Sequence, residues 1–307
     1  MPGEFYERSS AFGYLHSLPD LVLFFALLWC VGVAALPPKL LAAACAGVVA
    51  YRMTFILHDC CHATLFGSRR ENQAVGWFTA GLLLTSYPSF RRQHFAHHQH
   101  YRRTEDPQGV DYNGLVPGRD RILRHLLAPL VFLMAWERVA SYFALSHSGM
   151  SRDERAAAGP ATGGTLREHA ISGIVIALVQ LPVIAASTGW FRFWPGYLLY
   201  LLALSTIGLF LSRLRSYLEH GNLTQADADR RVARTHRSNA LERSVMAGLF
   251  FNYHHEHHLW PQVPSRWLPK VYREITAPHL PAGDFSPSYV ASLRQLVRAS
   301  RTDAPRV

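Results

Sequence analysis

The sequence has little cysteine: its 307 residues include Cys30, Cys45, Cys60 and Cys61 and no others. The first two lie inside apolar stretches and the last two are adjacent, so no spacing matches a disulfide framework or a zinc knuckle. We therefore expect a reducing, cytoplasm-facing environment. Met1–Asp20 also lacks the basic start and small-residue cleavage site of a signal peptide, so we do not expect one here.

Acidic residues are scarce relative to basic ones, since 21 Asp and Glu face 31 Lys and Arg, which gives a net charge of +10. Such an excess can indicate nucleic acid, acidic partners or an anionic membrane surface. The mean hydropathy is just above zero, at +0.03, and the apolar residues occur in long blocks that exclude most of the charge. This segregation favours the membrane surface, and no nucleic-acid partner is expected.

Four apolar stretches approach the roughly 20 helical residues needed to cross a bilayer core. They are Leu21–Leu36, Leu40–Leu57, Ile171–Ser187 and Trp194–Leu211. A short turn joins the first two and another joins the last two, so each pair predicts a helical hairpin. The sequence therefore predicts an all-α integral membrane protein, one domain over residues 1–307, with flexible ends at 1–20 and 298–307.

Three weaker segments complete the organisation of the chain. Ala74–Tyr87 is too short to span a bilayer unaided and predicts a re-entrant or interfacial segment. Ile122–Leu145 contains both apolar and charged residues and predicts an amphipathic helix on the membrane surface. Ser151–Gly164 is rich in Arg, Ala and Gly and predicts a flexible loop.

The distribution of basic residues predicts an orientation. The two hairpin turns, Pro37–Lys39 and Ser187–Phe193, contain only Lys39 and Arg192. If these turns face outward, the other 29 of the 31 basic residues (31 − 2) lie on the inner side or near the inner ends of helices, which agrees with the excess of Lys and Arg on cytoplasmic loops. Four spans place both termini on that cytoplasmic side.

Seventeen histidines are present, and eight of them form three clusters. The clusters are His58 and His62 in HDCCH, His94, His97 and His98 in HFAHH, and His254, His257 and His258 in HHEHH. Residues three or four positions apart share a helix face, so each cluster can present its rings together. Neutral imidazoles bind iron, zinc and copper, and eight of them exceed what one ion can use.

The three clusters follow spans in a way that places them on one side of the membrane. The first follows the second span, the second follows the short re-entrant segment, and the third follows the fourth span. Isolated histidines are more often surface or satisfied core residues, as we expect for His16, His125, His169 and His279. Roles at the surface or behind the ligands stay open for His100, His147, His236 and His255.

The three clusters resemble the histidine boxes HxxxH, HxxHH and HxxHH of the membrane fatty acid desaturase superfamily. The segment from Arg234 through the third box is similar to bacterial desaturase-like proteins, and the resemblance covers about residues 20–275. It implies two iron ions at the cytoplasmic face of four membrane helices, under a helical cap, in the inner membrane of a bacterium. It also implies a further ligand soon after the last span, which His220 matches, and so a set of nine.

Four acidic residues lie beside the boxes: Asp59, Asp106, Glu219 and Glu256. Carboxylates commonly hold metal-binding imidazoles by the nitrogen that faces away from the metal. Similar desaturases carry an acidic residue at the position of Asp106, which makes it the favoured candidate. For each of the four, plain solvation or an ordinary salt bridge is the alternative.

The resemblance implies an oxidoreductase that uses dioxygen to oxidise a lipid-like substrate. The first box, HDCCH, is close to the HDCGH-like form of acyl-lipid desaturases, which favours desaturation of a fatty acyl chain. Hydroxylases and ketolases acting on acyl, carotenoid or small amphipathic substrates share similar boxes and remain alternatives. A membrane zinc hydrolase needs only about three protein ligands, so eight or nine histidines are more than it would use. A metal transporter should place its ligands within the spans, whereas these clusters fall at or beyond the span ends.

Electrons for such a reaction must come from a separate protein, because the chain contains no cytochrome b5-like segment and no cysteine pattern for an iron–sulfur cluster. A ferredoxin or a cytochrome b5-like protein is the implied donor. Three arginine pairs, Arg69-Arg70, Arg91-Arg92 and Arg102-Arg103, flank the first two boxes. They can dock an acidic donor or a phosphate-bearing headgroup, or simply be inner-side arginines at a lipid surface.

Overall fold

A computed structural model describes residues 1–101, 103, 105–109, 119–131, 164–221, 233–279 and 288–302. Within these ranges the regular structure is helical, and the β pairing consists of one isolated bridge between Thr235 and Tyr253. The α-helices are α1 Ser10–Val33, α2 Leu36–His62, α3 Arg69–Leu82, α4 Tyr87–His100, α5 Arg119–Leu127, α6 Leu166–Ser187, α7 Pro195–His220, α8 Ala240–Met246, α9 His254–Leu259, α10 Leu268–Val271 and α11 Tyr289–Thr302. Short 3-10 helices occur at Gly3–Tyr6, Ala128–Val131, Gly248–Phe250, Ser265–Trp267 and Ala277–His279, and π-helical turns at Leu204–Gly208, inside α7, and Tyr272–Thr276.

Four helices, α1, α2, α6 and α7, are long and apolar enough to cross a membrane, and each includes one of the four predicted spans or most of it. Their ends differ from the apolar stretches because polar residues continue a helix once its first amides are capped. Ser9 Oγ accepts a hydrogen bond from Phe12 N, so α1 begins at Ser10 and not at Leu21. At the other end, α2 and α7 continue to His62 and His220, which places these histidines on the last turns of spanning helices.

Polar side chains inside the bundle pair with the carbonyl end of α3. Gln180 Nε2 donates to the carbonyl oxygen of Gly81 at 2.8 Å, and Tyr200 Oη donates to that of Leu82 at 2.5 Å. The last carbonyls of a helix have no partner within it and need one elsewhere when they are buried. Gln180, a polar residue within a predicted span, is therefore explained by the helix end that it satisfies.

Helices α3 and α4 carry the chain away from the histidine end of α2 and back. α3 begins shortly after His62, and its far end lies against Gln180 in the middle of α6. α4 then returns to the end of α2, where Tyr87 Oη donates to the carbonyl of Cys60. The re-entrant or interfacial position predicted for Ala74–Tyr87 stays a prediction.

Helix α7 is interrupted by its π-helical turn, Leu204–Gly208. The turn lies where α7 packs closely on α2: a β-carbon at Gly47 would lie 2.8 Å from the carbonyl oxygen of Ala203. Residues after the turn, Leu209–His220, continue as ordinary α-helix to the histidine.

Other expected segments lie partly outside the described residues. Of Ile122–Leu145, only the part up to Val131 is described, and it changes from α5 to a 3-10 turn instead of forming one continuous helix. Ser151–Gly164 is outside the description except for Gly164. Near the termini, Phe5 is 1% exposed in a small core and α11 reaches Thr302, so the boundaries drawn at residues 20 and 298 are not helix ends. The single domain and its flexible ends stay predictions.

Gly32 lies where α1 meets the turn after α6, and its replacement by alanine is expected to destabilise the bundle. The added β-carbon would lie 2.0 Å from Gly189 N, so a segment of backbone would have to move, which is harder than moving the end of a flexible side chain. Overpacking of this kind costs about 1–3 kcal/mol. Thermal unfolding of the detergent-solubilised protein should show a lower midpoint for Gly32→Ala. Gly3→Ala, which meets nothing within 4 Å, is the matched control, and equal midpoints would contradict the expected clash.

Candidate metal centre

Nine imidazoles converge at one end of the helix bundle. His58 and His62 lie on the last turns of α2, and His220 is the last residue of α7. Helix α4 contributes His94, His97 and His98, and α9 contributes His254, His257 and His258. These are the nine residues predicted from the boxes and from the position after the last span. Each helix contributes rings at spacings of three or four residues, because such residues share one face.

The first group of rings contains five histidines whose ligand atoms all lie within 4.8 Å of one another: His58, His62, His94, His98 and His257. The Nε2 atoms of His62 and His94 are 2.8 Å apart, and those of His94 and His98 are 3.0 Å apart. His257 Nε2, from α9, lies 3.2 Å from His98 Nε2. Helices α2, α4 and α9 thus meet in a single pocket of nitrogen ligands.

The second group contains the other four histidines. Ligand atoms of His97, His220 and His258 lie within 4.8 Å of one another, as do those of Glu219, His220 and His254. The Nε2 atom of His254 is 2.9 Å from that of His220 and 3.1 Å from that of His258. The His98 and His258 ring centroids, 4.4 Å apart, join the two groups. Neither group includes any other histidine of the described residues.

The spacing of the nitrogens fits bound metal ions. Imidazole nitrogens bind a metal at about 2.0–2.1 Å, so two ligands at right angles are about 3 Å apart. The closest Nε2 pairs described above are separated by 2.8–3.2 Å. His58 Nε2 is buried without a hydrogen-bond partner among the described residues, while Nδ1 of the same ring contacts Asp59. A cation between the rings would satisfy this nitrogen and relieve the repulsion between lone pairs.

Burial keeps the rings outside the spanning helices neutral, which is the form that binds metal. It holds the pKa of His94, His254, His257 and His258 well below the usual range, and neighbouring rings lower them further. For His98, burial followed by the charges of His62 and His97 lowers the pKa to about 2.

Two of the four predicted carboxylates hold the outer nitrogen of a ring. Asp59 Oδ1 lies 2.9 Å from His58 Nδ1, and the two Asp106 oxygens lie 3.0 and 3.1 Å from His97 Nδ1. Asp106 Oδ1 is itself held by the backbone N–H of Gln108 at 2.9 Å. Both rings therefore have a fixed orientation, with Nε2 directed to the other histidines.

Glu219 and Glu256 differ from the predicted arrangement. Glu219 Oε2 lies 3.5 Å from His254 Nε2, the nitrogen that faces the second group, and so it lies on the ligand side of the ring. Glu256 is fully buried and accepts a hydrogen bond from Thr235 Oγ1. Glu256 contacts no histidine of either group through this hydrogen bond because it lies two places after His254 and so projects from another face of α9.

Two residues that the sequence did not single out hold Glu219. Arg215 Nη1 donates to Glu219 Oε2 at 2.5 Å, and Tyr289 Oη donates to Oε1 at 2.8 Å. The spacing of four residues between Arg215 and Glu219 on one helix is a recognisable ion-pair signal. Tyr289 had no such signal, because it reaches the site from α11.

The sequence assigned no role to four further histidines, and the three of them that the structure describes lie outside both groups. His236 is fully buried, stacks on Tyr289 with ring centroids 4.0 Å apart, and its Nε2 lies 3.0 Å from Ser292 Oγ. His255 is buried and His100 is half-buried, and His147 lies outside the described residues.

Asp106→Ala is expected to weaken metal binding about 10–100-fold, because His97 loses the carboxylate that orients it. Competition with a chelator during metal titration of the purified protein would measure the change. Asp106→Asn keeps an oxygen acceptor for His97 Nδ1 and should lose less. Unchanged affinity in Asp106→Ala would show that the contact at 3.0 Å does not support the site.

One protein family was found to match this chain. The model of the family described as "Fatty acid desaturase" matches residues 21–287, a range that includes all nine histidines. No curated protein matches the chain closely. The matched range covers most of the sequence and spans all three histidine boxes. The chain therefore belongs to the fatty acid desaturase family.

Proposed function

We propose that this protein is a membrane di-iron enzyme that uses dioxygen to desaturate a fatty acyl chain. Membership of the family implies an oxidoreductase that acts on lipid. The observation that supports the di-iron proposal most strongly is the division of nine imidazoles into groups of five and four at the ends of spanning helices. Nine ligands exceed the three that a catalytic zinc ion commonly uses, which disfavours the hydrolase.

In this proposal the five-histidine group holds one iron ion and the four-histidine group holds the other. Bound iron supplies the activation of dioxygen and the removal of hydrogen from an unactivated alkyl chain, chemistry that no side-chain acid or base provides. The protein fixes the rings through Asp59 and Asp106, and its buried carboxylates offset part of the metal charge. Burial of the rings excludes water from the reacting groups.

We further propose that the spans form two hairpins, with the histidines and both termini on the cytoplasmic side of a bacterial inner membrane. The positive charge near the inner helix ends supports this orientation. Electrons would come from a separate acidic donor, a ferredoxin or a cytochrome b5-like protein. Arg91 donates to the carbonyl of Cys61 and Arg92 pairs with Glu168, so both have structural partners. Arg69, Arg70 and Arg103 are exposed, which makes them the better candidates for docking such a donor.

Mass spectrometry of lipids from an expressing host, together with metal analysis, tests this proposal. Desaturation removes two hydrogen atoms from the product, whereas hydroxylation adds one oxygen atom. About two iron ions per chain and a lipid that has lost two hydrogens are the expected results. A product that has gained oxygen would assign the chain to the hydroxylases instead. A single zinc ion per chain with no iron would contradict the di-iron proposal itself.

A further inference from the structure

Beside the third histidine box lies a cavity of about 440 Å³ that the metal centre does not use. Three segments form its wall: the stretch from Thr235 to Asn239 with Arg243, the pair Asn252 and Tyr253, and the pair Tyr272 and Arg273. The volume is within the usual range for small-molecule sites, about 300–1,000 Å³. None of the described residues that line it is acidic.

The wall is strongly basic. Arg237, Arg243 and Arg273 all line the cavity and are exposed at its rim. Arg243 uses one N–H group to donate to the carbonyl of Ser238 at 2.7 Å, which fixes the side chain and leaves other guanidinium donors available. Arg273 makes no hydrogen bond or ion pair with any residue that the structure describes. Three guanidinium groups line one cavity whose described wall contains no acidic residue, which favours an anionic ligand.

Unsatisfied polar atoms in the same wall point independently to a ligand. Ser238 Oγ, Tyr272 Oη and Asn252 Oδ1 are buried and have no hydrogen-bond partner among the described residues. The three residues are 8%, 9% and 2% exposed. Buried polar atoms without a partner are rare in folded proteins and need an explanation. The two hydroxyls can donate to an anion, and the amide oxygen can accept from a hydroxyl of the same ligand.

The number of donors distinguishes phosphate from carboxylate. A carboxylate has two oxygens, which one arginine can hold in a paired contact. Three arginines and two hydroxyls supply more donors than one carboxylate can use, whereas the oxygens of a phosphate point in several directions and can accept from all of them. The free acceptor, Asn252 Oδ1, adds preference for a phosphate whose headgroup also carries a hydroxyl.

Residues of the cavity wall connect it directly to the metal centre. Asn252 and Tyr253 directly precede His254, and Thr235 both pairs with Tyr253 and donates to Glu256 on α9. A headgroup held here therefore lies beside the helix that carries three of the nine histidines. We propose that this pocket binds a phosphate group at the polar end of the lipid substrate. The substrate role rests on the proposed function, whereas phosphate binding rests on the pocket alone.

Calorimetric titration of the purified iron-loaded protein in neutral detergent tests the proposal, with dioctanoyl phosphatidic acid as the probe. Arg273→Gln should weaken binding about tenfold, the effect of losing one charge-assisted contact, which corresponds to about 1.4 kcal/mol. Ser238→Ala and Tyr272→Phe should each weaken it several-fold. Arg192→Gln removes an exposed arginine in the turn between α6 and α7 and should leave the affinity unchanged. Iron content should be the same in all four variants.

Three results would overturn the proposal. Equal weakening by Arg192→Gln would show attraction to a basic surface without a site. Equal affinity for dioctanoylglycerol, which lacks the phosphate, would show that the pocket does not recognise that group. Inorganic phosphate binding as tightly as the lipid would show a site for a free anion. Binding is measured without turnover, so these results would stand even if the proposed oxidation reaction were wrong.

The substrate role has its own kinetic test. In an active enzyme, Arg273→Gln should raise KM and largely spare kcat, and the reverse pattern would refute the substrate role.

Discussion

His257→Ala is expected to abolish product formation and to lower bound iron, while the protein still inserts into the membrane. The Nε2 atom of His257 lies 3.2 Å from that of His98, and its ring centroid is 4.4 Å from that of His58. It is the α9 ligand of the five-histidine group, so its loss separates that group from the third box. Residues that only orient a ligand cost about 10–100-fold when mutated, so removal of the ligand itself should cost more than that.

Iron content and product yield, measured on the same membranes, would check this result. His100→Ala is the matched control, because His100 lies on α4 beside the second box but belongs to neither ligand group. That variant should keep its iron and its activity. Full activity in His257→Ala would remove this residue from the ligand set.

Glu219→Ala is expected to be the most destabilising single change near the site, even before any effect on metal binding is counted. It leaves Arg215 without its carboxylate partner, although the Arg215 side chain is only 17% exposed. Breaking a buried ion pair from one side costs about 3–5 kcal/mol, because an uncompensated charge remains. Arg215 cannot easily move to water, since its guanidinium lies over the Phe251 ring, 4.6 Å from the centroid.

Thermal unfolding in detergent, with and without chelator, would measure this loss. The double variant Arg215→Met with Glu219→Gln removes both charges and keeps an acceptor for Tyr289 Oη, so it should recover most of the stability. If the single and double variants unfold at the same temperature, the ion pair is not what stabilises this end of α7. A loss of stability that appears only without chelator would indicate instead that Glu219 acts through the metal.

The apolar runs predicted the four spans, but not where their helices end. A hydropathy pattern detects the segment that lies in lipid, and α1 continues outside it because Ser9 caps a polar first turn. Hydropathy likewise misses the last turns of α2 and α7, which continue to His62 and His220, several residues beyond the apolar stretches. Those extra turns carry three of the nine clustered histidines, so the helix ends that hydropathy misses are the ones that build the candidate site.

Within each box, the spacing of residues along a helix predicted which histidines share a face. It did not predict that α2, α4 and α9 meet, because contacts between distant segments depend on packing. The resemblance to a family supplied that expectation, and it alone supplied His220. Tyr289 and the phosphate pocket had no sequence signal, since their partners come from segments far apart in the chain.

The π-helical turn at Leu204–Gly208 gives the fourth span a tolerance to length changes that its hydropathy does not show. Hydrogen bonds in a π-turn join residues five apart, whereas those of an α-helix join residues four apart, so the turn holds one extra residue. Deleting one residue from this turn would therefore restore ordinary α-helix and leave His220 in contact with His254. Deleting one residue from Leu209–His220 would instead rotate His220 by about 100° relative to the rest of the span. A one-residue gap in a homologue is thus compatible with the second group at the π-turn and incompatible with it nearer the histidine.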